Sequence, residues 1–144
     1  MPVAVRNMFE EYVKDRFDLE DCIAVNNGTS ALIACLWSMD LKPGDEVITT
    51  PFTFIATSNA ILIAGAKPVF VDIAPDTLLI DPERVKSAIT EKTKAIIPVH
   101  LYGRICEMEK INKIAQDNNL VVIEDTAQAF GAEDNSGKFA GMIS

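Results

Sequence analysis

Short apolar, β-branched runs alternate along this chain with longer amphipathic stretches, and that alternation constrains the fold more than any other feature. Cys22–Val25, Glu46–Thr49, Pro68–Ile73, Lys94–Val99 and Leu120–Glu124 read as strands, several of them too uniformly apolar to keep a wet face. Between them Thr29–Asp40, Thr53–Ala64, Pro82–Thr90 and Glu107–Asn118 read as helices, each opened by a start signal. The clearest is Asp81-Pro82-Glu83, with Asp as N-cap and Pro at the first helical position. Ahead of all these, Met8, Phe9, Tyr12, Val13 and Phe17 recur at three-to-four spacing and predict a helix from Asn7 to Asp18.

Strand–helix alternation predicts an α/β domain with a mostly parallel sheet, helices on its faces and right-handed crossovers. Neither an internal repeat nor a Gly/Ser-rich linker divides the sequence, so one domain is expected over residues 1–144. Beyond Phe130 the chain turns glycine-rich, and it reaches Ser144 without a cap or closing element, so it is expected to end in mid-structure.

Charge and composition narrow the function. A formal net charge of -8 argues against nucleic acid as a partner, because a phosphate backbone is held by clustered Lys and Arg. Cys22, Cys35 and Cys106 are odd in number, far apart and set in apolar stretches, which fits a reducing cytoplasm. Met1–Arg6 lacks the long apolar run of a signal peptide. The most apolar stretch, Ile55–Ala66, is interrupted by Thr57, Ser58, Asn59 and Gly65, so no membrane span is expected.

In an open α/β sheet, ligands bind beyond the carboxyl ends of the strands, which directs attention to four junctions. Asn26-Asn27-Gly28-Thr29-Ser30-Ala31-Leu32 runs from a strand into a helix whose first turn carries small residues and hydroxyls. It is either a plain N-cap turn or an anion site, where free amides and the positive end of the helix dipole receive a phosphate. No G-K-[ST] follows, and no G-x-G-x-x-G is present, so neither an ATP loop nor a dinucleotide fingerprint is supported. In Thr49-Thr50-Pro51-Phe52-Thr53-Phe54, the aromatic Phe54 is either core or a platform for a flat heterocycle.

The third junction, Pro98-Val99-His100-Leu101-Tyr102-Gly103, holds the only histidine. With no acid partner at useful spacing, His100 reads as a hydrogen-bonded structural residue rather than a general base. In the fourth, Leu120 to Gly131, alternation puts Val121, Ile123 and Asp125 on one face and Val122 and Glu124 on the other. A carboxylate at Asp125, after an apolar run, needs a cation, a metal or a cluster of donors. A protonated ring nitrogen would serve, and a Glu124–Asp125 magnesium site is the weaker alternative.

In order and spacing these junctions resemble the DegT/DnrJ/EryC1/StrS family of pyridoxal-phosphate (PLP) sugar aminotransferases. Gly44-Asp45-Glu46-Val47-Ile48, Gly65 to Ile73 and Thr93 to His100 add to the resemblance, which covers nearly the whole chain. It implies an aspartate-aminotransferase-like fold of PLP fold type I, of which residues 1–144 are part of the large, PLP-binding domain, with the small carboxy-terminal domain absent. It implies further that Thr29 and Ser30 meet the cofactor phosphate, Phe54 stacks on the pyridine, Asp125 pairs with the pyridinium nitrogen and Gln128 hydrogen-bonds the phenolic oxygen. Phe130 departs from the histidine that many members carry.

The Schiff-base lysine of the family follows a Ser-Phe pair shortly after a segment similar to Gly137–Ser144. The resemblance therefore implies that it lies beyond Ser144, that Lys138 is too early to be it, and that this chain alone is inactive. The implied reaction is transfer of an amino group from an amino acid, often glutamate, to a nucleotide-linked keto sugar, in a cytoplasmic homodimer. A sugar dehydratase of the same family and a non-catalytic phosphate- or nucleotide-binding α/β module are the alternatives.

Overall fold

The computed structural model describes residues 2–144. Nine elements follow one another: α1 (Val3–Phe17), α2 (Gly28–Ser38), β1 (Glu46–Thr49), α3 (Ala56–Ile63), β2 (Lys67–Phe70), α4 (Pro82–Ala88), β3 (Thr93–Ile96), α5 (Met108–Asp117) and β4 (Val121–Val122). The strands form one sheet in the order β2-β1-β3-β4, and every pairing is parallel.

Period-two alternation along the central strands assigns the core to two layers. Val47, Ala95 and Ile97 face one way and pack with Leu32, Leu36, Ala60 and Ile61 of α2 and α3. Ile48 and Ile96 face the other way, toward Val85 of α4 and Met108, Ile111 and Ala115 of α5. Helices thus cover both faces, which is why all four residues of β1 are buried and the strand tolerates no alternation of polarity.

Local chemistry sets the boundaries. The Asn27 side chain accepts from the Ser30 amide at 2.9 Å and starts α2, and the Asp81 side chain does the same for the Glu83 amide at the start of α4, with Pro82 behind it. Gly65, at φ +85, ends α3 in the left-handed conformation while the Ala66 amide reaches back to the Ile61 carbonyl. Helix α3 starts at Ala56, three residues later than the predicted Thr53, because residues 50–54 form a turn in which the Phe52 amide bonds the Thr50 hydroxyl.

Two expectations about strands need correction. Cys22–Val25 belongs to no strand: the Ala24 amide donates to Glu10 Oε1 on α1, and Ile23 is 84% exposed. An apolar run becomes a strand only where a neighbouring strand accepts it. Strands β3 and β4 stop earlier than predicted, since Pro98 has no N–H for the ladder, although the Asp125 amide still donates to the Pro98 carbonyl and the His100 amide to the Asp125 carbonyl. The predicted helix before Asp18 forms as α1, with Met8 and Tyr12 of its apolar stripe exposed, Phe17 half-buried and Val13 buried. Among the described residues no helix is long and apolar enough to cross a membrane.

Candidate functional site

At the carboxyl ends of β1, β3 and β4 the chain leaves a cavity of about 190 Å³. The loop before α3 contributes Thr53 and Phe54, the start of α2 contributes Gly28 and Thr29, and the residues after β4 contribute Asp125, Ala127 and Gln128. Four of the five predicted site residues, Thr29, Phe54, Asp125 and Gln128, therefore share one cavity although nearly a hundred positions separate the outermost pair. Ser30 stands outside its lining, and its amide is already taken by the Asn27 cap.

Asp125 forms the floor. It is buried, and Thr57 Oγ1 donates to its Oδ2 at 2.9 Å while the Ala127 amide donates to Oδ1 at 3.2 Å. Thr57 is itself buried on α3 and lies 3.3 Å from the Thr53 hydroxyl. Sequence reasoning missed both threonines. Their signal was present: hydroxyls four residues apart in an otherwise apolar run put two polar groups on one side of a turn. Among the described residues, no Lys or Arg pairs with Asp125, so its charge has hydrogen-bond donors but no counter-cation.

The rim is built differently. Phe54 is 71% exposed, an aromatic ring left on a turn above the sheet. Gln128 is fixed through its backbone, whose carbonyl accepts from the Gly103 amide at 2.9 Å, and its side-chain oxygen faces the Tyr102 amide at 3.5 Å. At the opposite end, the Gly28 and Thr29 amides open α2 with no partner among the described residues, and a Cβ built on Gly28 would meet nothing within 4 Å. Two free amides at the positive end of a helix dipole can receive an anion.

His100 lies behind this cavity and is fully buried. Contrary to the sequence reading, it has an acid partner: its Nε2 is 2.9 Å from Glu124 Oε2. The two residues are 24 apart in sequence and meet because β3 and β4 are adjacent. Burial alone would raise the Glu124 pKa, but hydrogen bonds from His100 and from the amides of Gly141, Ile143 and Ser144 prevail and hold it at about 2. Glu124 and Asp125 point to opposite faces, as alternation predicted, and no cluster of three metal-ligating side chains occurs among the described residues.

The family model for DegT/DnrJ/EryC1/StrS aminotransferases matches residues 5–144. The chain belongs to this family. Among curated relatives, a pleiotropic regulatory protein of Geobacillus stearothermophilus is 59% identical over 121 residues, covering 84% of this chain and 32% of the relative. The UDP-2-acetamido-2-deoxy-3-oxo-D-glucuronate aminotransferase of Pseudomonas aeruginosa is 47% identical, covering 85% of this chain and 34% of that enzyme. This DegT-family chain thus spans about a third of the length of the relatives it matches.

Solved structures agree in fold. NtdA of Bacillus subtilis, with its cofactor PMP bound, superposes with a TM-score of 0.86 at 42% identity, over 93% of this chain and 31% of that one. A GDP-4-keto-6-deoxy-D-mannose-3-dehydratase of E. coli with bound hydrated PLP gives a TM-score of 0.86 at 31% identity, over 94% and 36%. The fold is that of the PLP aminotransferases, of which residues 2–144 form a part.

Proposed function

We propose that the protein containing this chain transfers an amino group from an amino acid, with glutamate as donor, to a nucleotide-linked keto sugar, using PLP held in the cavity around Asp125. The single observation that carries this reading is Asp125 itself: a buried carboxylate with two donors, no counter-cation, and an opening onto a cavity rimmed by an aromatic and an amide. That donor set fits PLP. A protonated ring nitrogen would supply the missing positive charge, and burying the carboxylate unpaired would be costly.

When bound, PLP supplies an electron sink for the carbanion chemistry of amino transfer. The chain's own contribution is binding and electrostatics. Asp125 keeps a proton on the ring nitrogen, and Thr57 fixes the carboxylate that does so. Phe54 offers a face for the ring, and Gln128 offers a side-chain N–H to a phenolate oxygen. The amides of Gly28 and Thr29 take the phosphate, and Ser30 contributes through its hydroxyl, since its amide is spent.

Among the described residues no lysine lines the cavity, and Lys138 sits in an exposed turn with its amide on Asp134. This supports the reading that the covalent lysine is not among residues 1–144, that these residues are part of the PLP-binding large domain, and that they do not catalyse alone. Borohydride reduction of this chain with PLP should then label no single lysine fully. The three free thiols accord with a cytoplasmic setting. Family membership and the exposed apolar stripe of α1 support a homodimer.

A dehydratase is the second reading, favoured by the 31% identical neighbour of that activity, but relatives at 47% identity or more include named aminotransferases. A plain phosphate-binding module has no use for Asp125. The test is an absorbance titration with PLP, comparing the protein with Asp125→Asn. The variant should bind about ten- to a hundredfold more weakly, the range for one hydrogen bond to a charged group. Equal affinity would sink the assignment.

A further inference from the structure

Glu124 departs from the strand on the face opposite Asp125, and its side chain is 2% exposed. Four donors converge on it. His100 Nε2 and the Gly141 amide meet Oε2, each at 2.9 Å, and the Ile143 and Ser144 amides meet Oε1, each at 2.8 Å. The Cys106 amide donates to His100 Nδ1 at 3.1 Å, so the ring proton sits on Nε2 and the imidazole is a donor toward Glu124.

Residues 141–144 belong to no helix or strand, yet three of their four amides end on this one side chain. The same segment is held twice more. Asn112 Nδ2 of α5 donates to the Ile143 carbonyl at 2.6 Å, and Ile143 packs against the core layer of α4 and α5. Gly141, at φ +88, passes so near Thr126 that a Cβ there would stand 3.2 Å from Thr126 Cγ2. Irregular backbone with this many anchors is built to stay in place.

We propose that Glu124 is a positioning residue for the candidate site: its carboxylate, aimed by His100, seats residues 141–144 against Thr126 and fixes the backbone from which Asp125 reaches the cavity. The link to Asp125 is short. The His100 amide donates to the Asp125 carbonyl at 2.9 Å while its ring holds Glu124, so one histidine grips two consecutive residues, whose side chains serve opposite faces. A turn of the backbone at Glu124 would swing both. The functional half of this proposal rests on the cofactor reading above; the anchoring half does not.

Glu124→Gln, made in the intact protein, tests both halves. The variant keeps the shape of the side chain but offers one accepting oxygen where four donors meet, and its own NH2 confronts some of them. Hydrogen exchange at Gly141, Ile143 and Ser144 should rise about tenfold or more, with amides of β1 and β3 within about twofold of wild type. PLP affinity should fall several-fold, and Glu124→Asp should restore part of the protection. Should Glu124→Gln not fold, Gly141→Ala loosens the segment from its other side and should give the same pattern. Unchanged exchange at the three amides, or a uniform rise through the sheet, overturns the anchoring role. Loosened amides with unchanged PLP affinity overturn the positioning role and leave the cofactor reading intact, whereas a wild-type protein that ignores PLP sinks the cofactor reading while exchange still decides the anchor.

Discussion

The Thr57 hydroxyl donates to Asp125 Oδ2 at 2.9 Å across 68 positions of sequence, joining α3 to the residues that follow β4. Both partners are buried, so the bond acts in a low-dielectric setting where a missing donor is expensive. Together with the Ala127 amide on Oδ1 it sets the orientation of the carboxylate, and so ties the geometry of the site to the packing of a helix.

Thr57→Val keeps the volume and removes that donor, leaving the carboxylate with the Ala127 amide alone. The variant should lose about 1–3 kcal/mol in urea unfolding. PLP affinity should weaken as well, since the carboxylate is free to rotate. A variant as stable as wild type would mean that Asp125 finds another donor.

Asn27 separates two roles at the start of α2, capping and ligand binding. Asn27→Ala removes the acceptor for the Ser30 amide, which should cost about 1 kcal/mol. For a chain of this size that is a fall in Tm of about 2–4 °C. Freed amides at the same end should leave phosphate binding equal or tighter, so a variant that loses both stability and PLP affinity would show that the cap shapes the site.

The layers and the parallel sheet were legible in periodicity and turn chemistry, and the family resemblance named four residues that the fold brings around one cavity. Contacts between strands were not. His100 was read as lacking an acid partner because Glu124 becomes its neighbour only once β3 and β4 are placed in register. Thr57 was read as an interruption in an apolar run, and its meaning depends on where Asp125 lies in space. Cys22–Val25 has the composition of a strand, but composition does not say whether a partner lies alongside. Ser30 is paired with Thr29 by the family resemblance, and the Asn27 cap on its amide sets it apart.

Burial separates two cysteines that the sequence treats alike. Loss of solvent around Cys106 pushes its thiol up to about 12, and its sulfur donates to the Val99 carbonyl, whereas Cys35 is exposed on α2. Alkylation depends on the thiolate and on access. Iodoacetamide at pH 8 should therefore modify Cys35 and spare Cys106 in the folded protein, with both labelled after unfolding, as read by mass spectrometry. Equal labelling in the native state would mean that the α5 end of the core opens readily.

Acid should act chiefly through Glu124. Its pKa lies at about 2 in the folded chain against an ordinary 4.5, because the four donors outweigh burial. The folded state thus binds this proton less readily than the unfolded one, so the stability it confers is complete above about pH 5 and is lost as pH falls toward 2. A shift of this size corresponds to about 3 kcal/mol at neutral pH. Glu46, lowered by the Thr90 hydroxyl and then by Lys67, and Asp134, lowered by Ser136 and the Lys138 amide, titrate in the same direction and add to the slope. Urea unfolding from pH 6 to pH 2.5 should therefore show stability falling with acid, and Glu124→Gln should flatten part of that fall while being less stable at neutral pH. Parallel curves for the two proteins would show that Glu124 titrates alike in the folded and unfolded chains, and that its hydrogen bonds contribute nothing net.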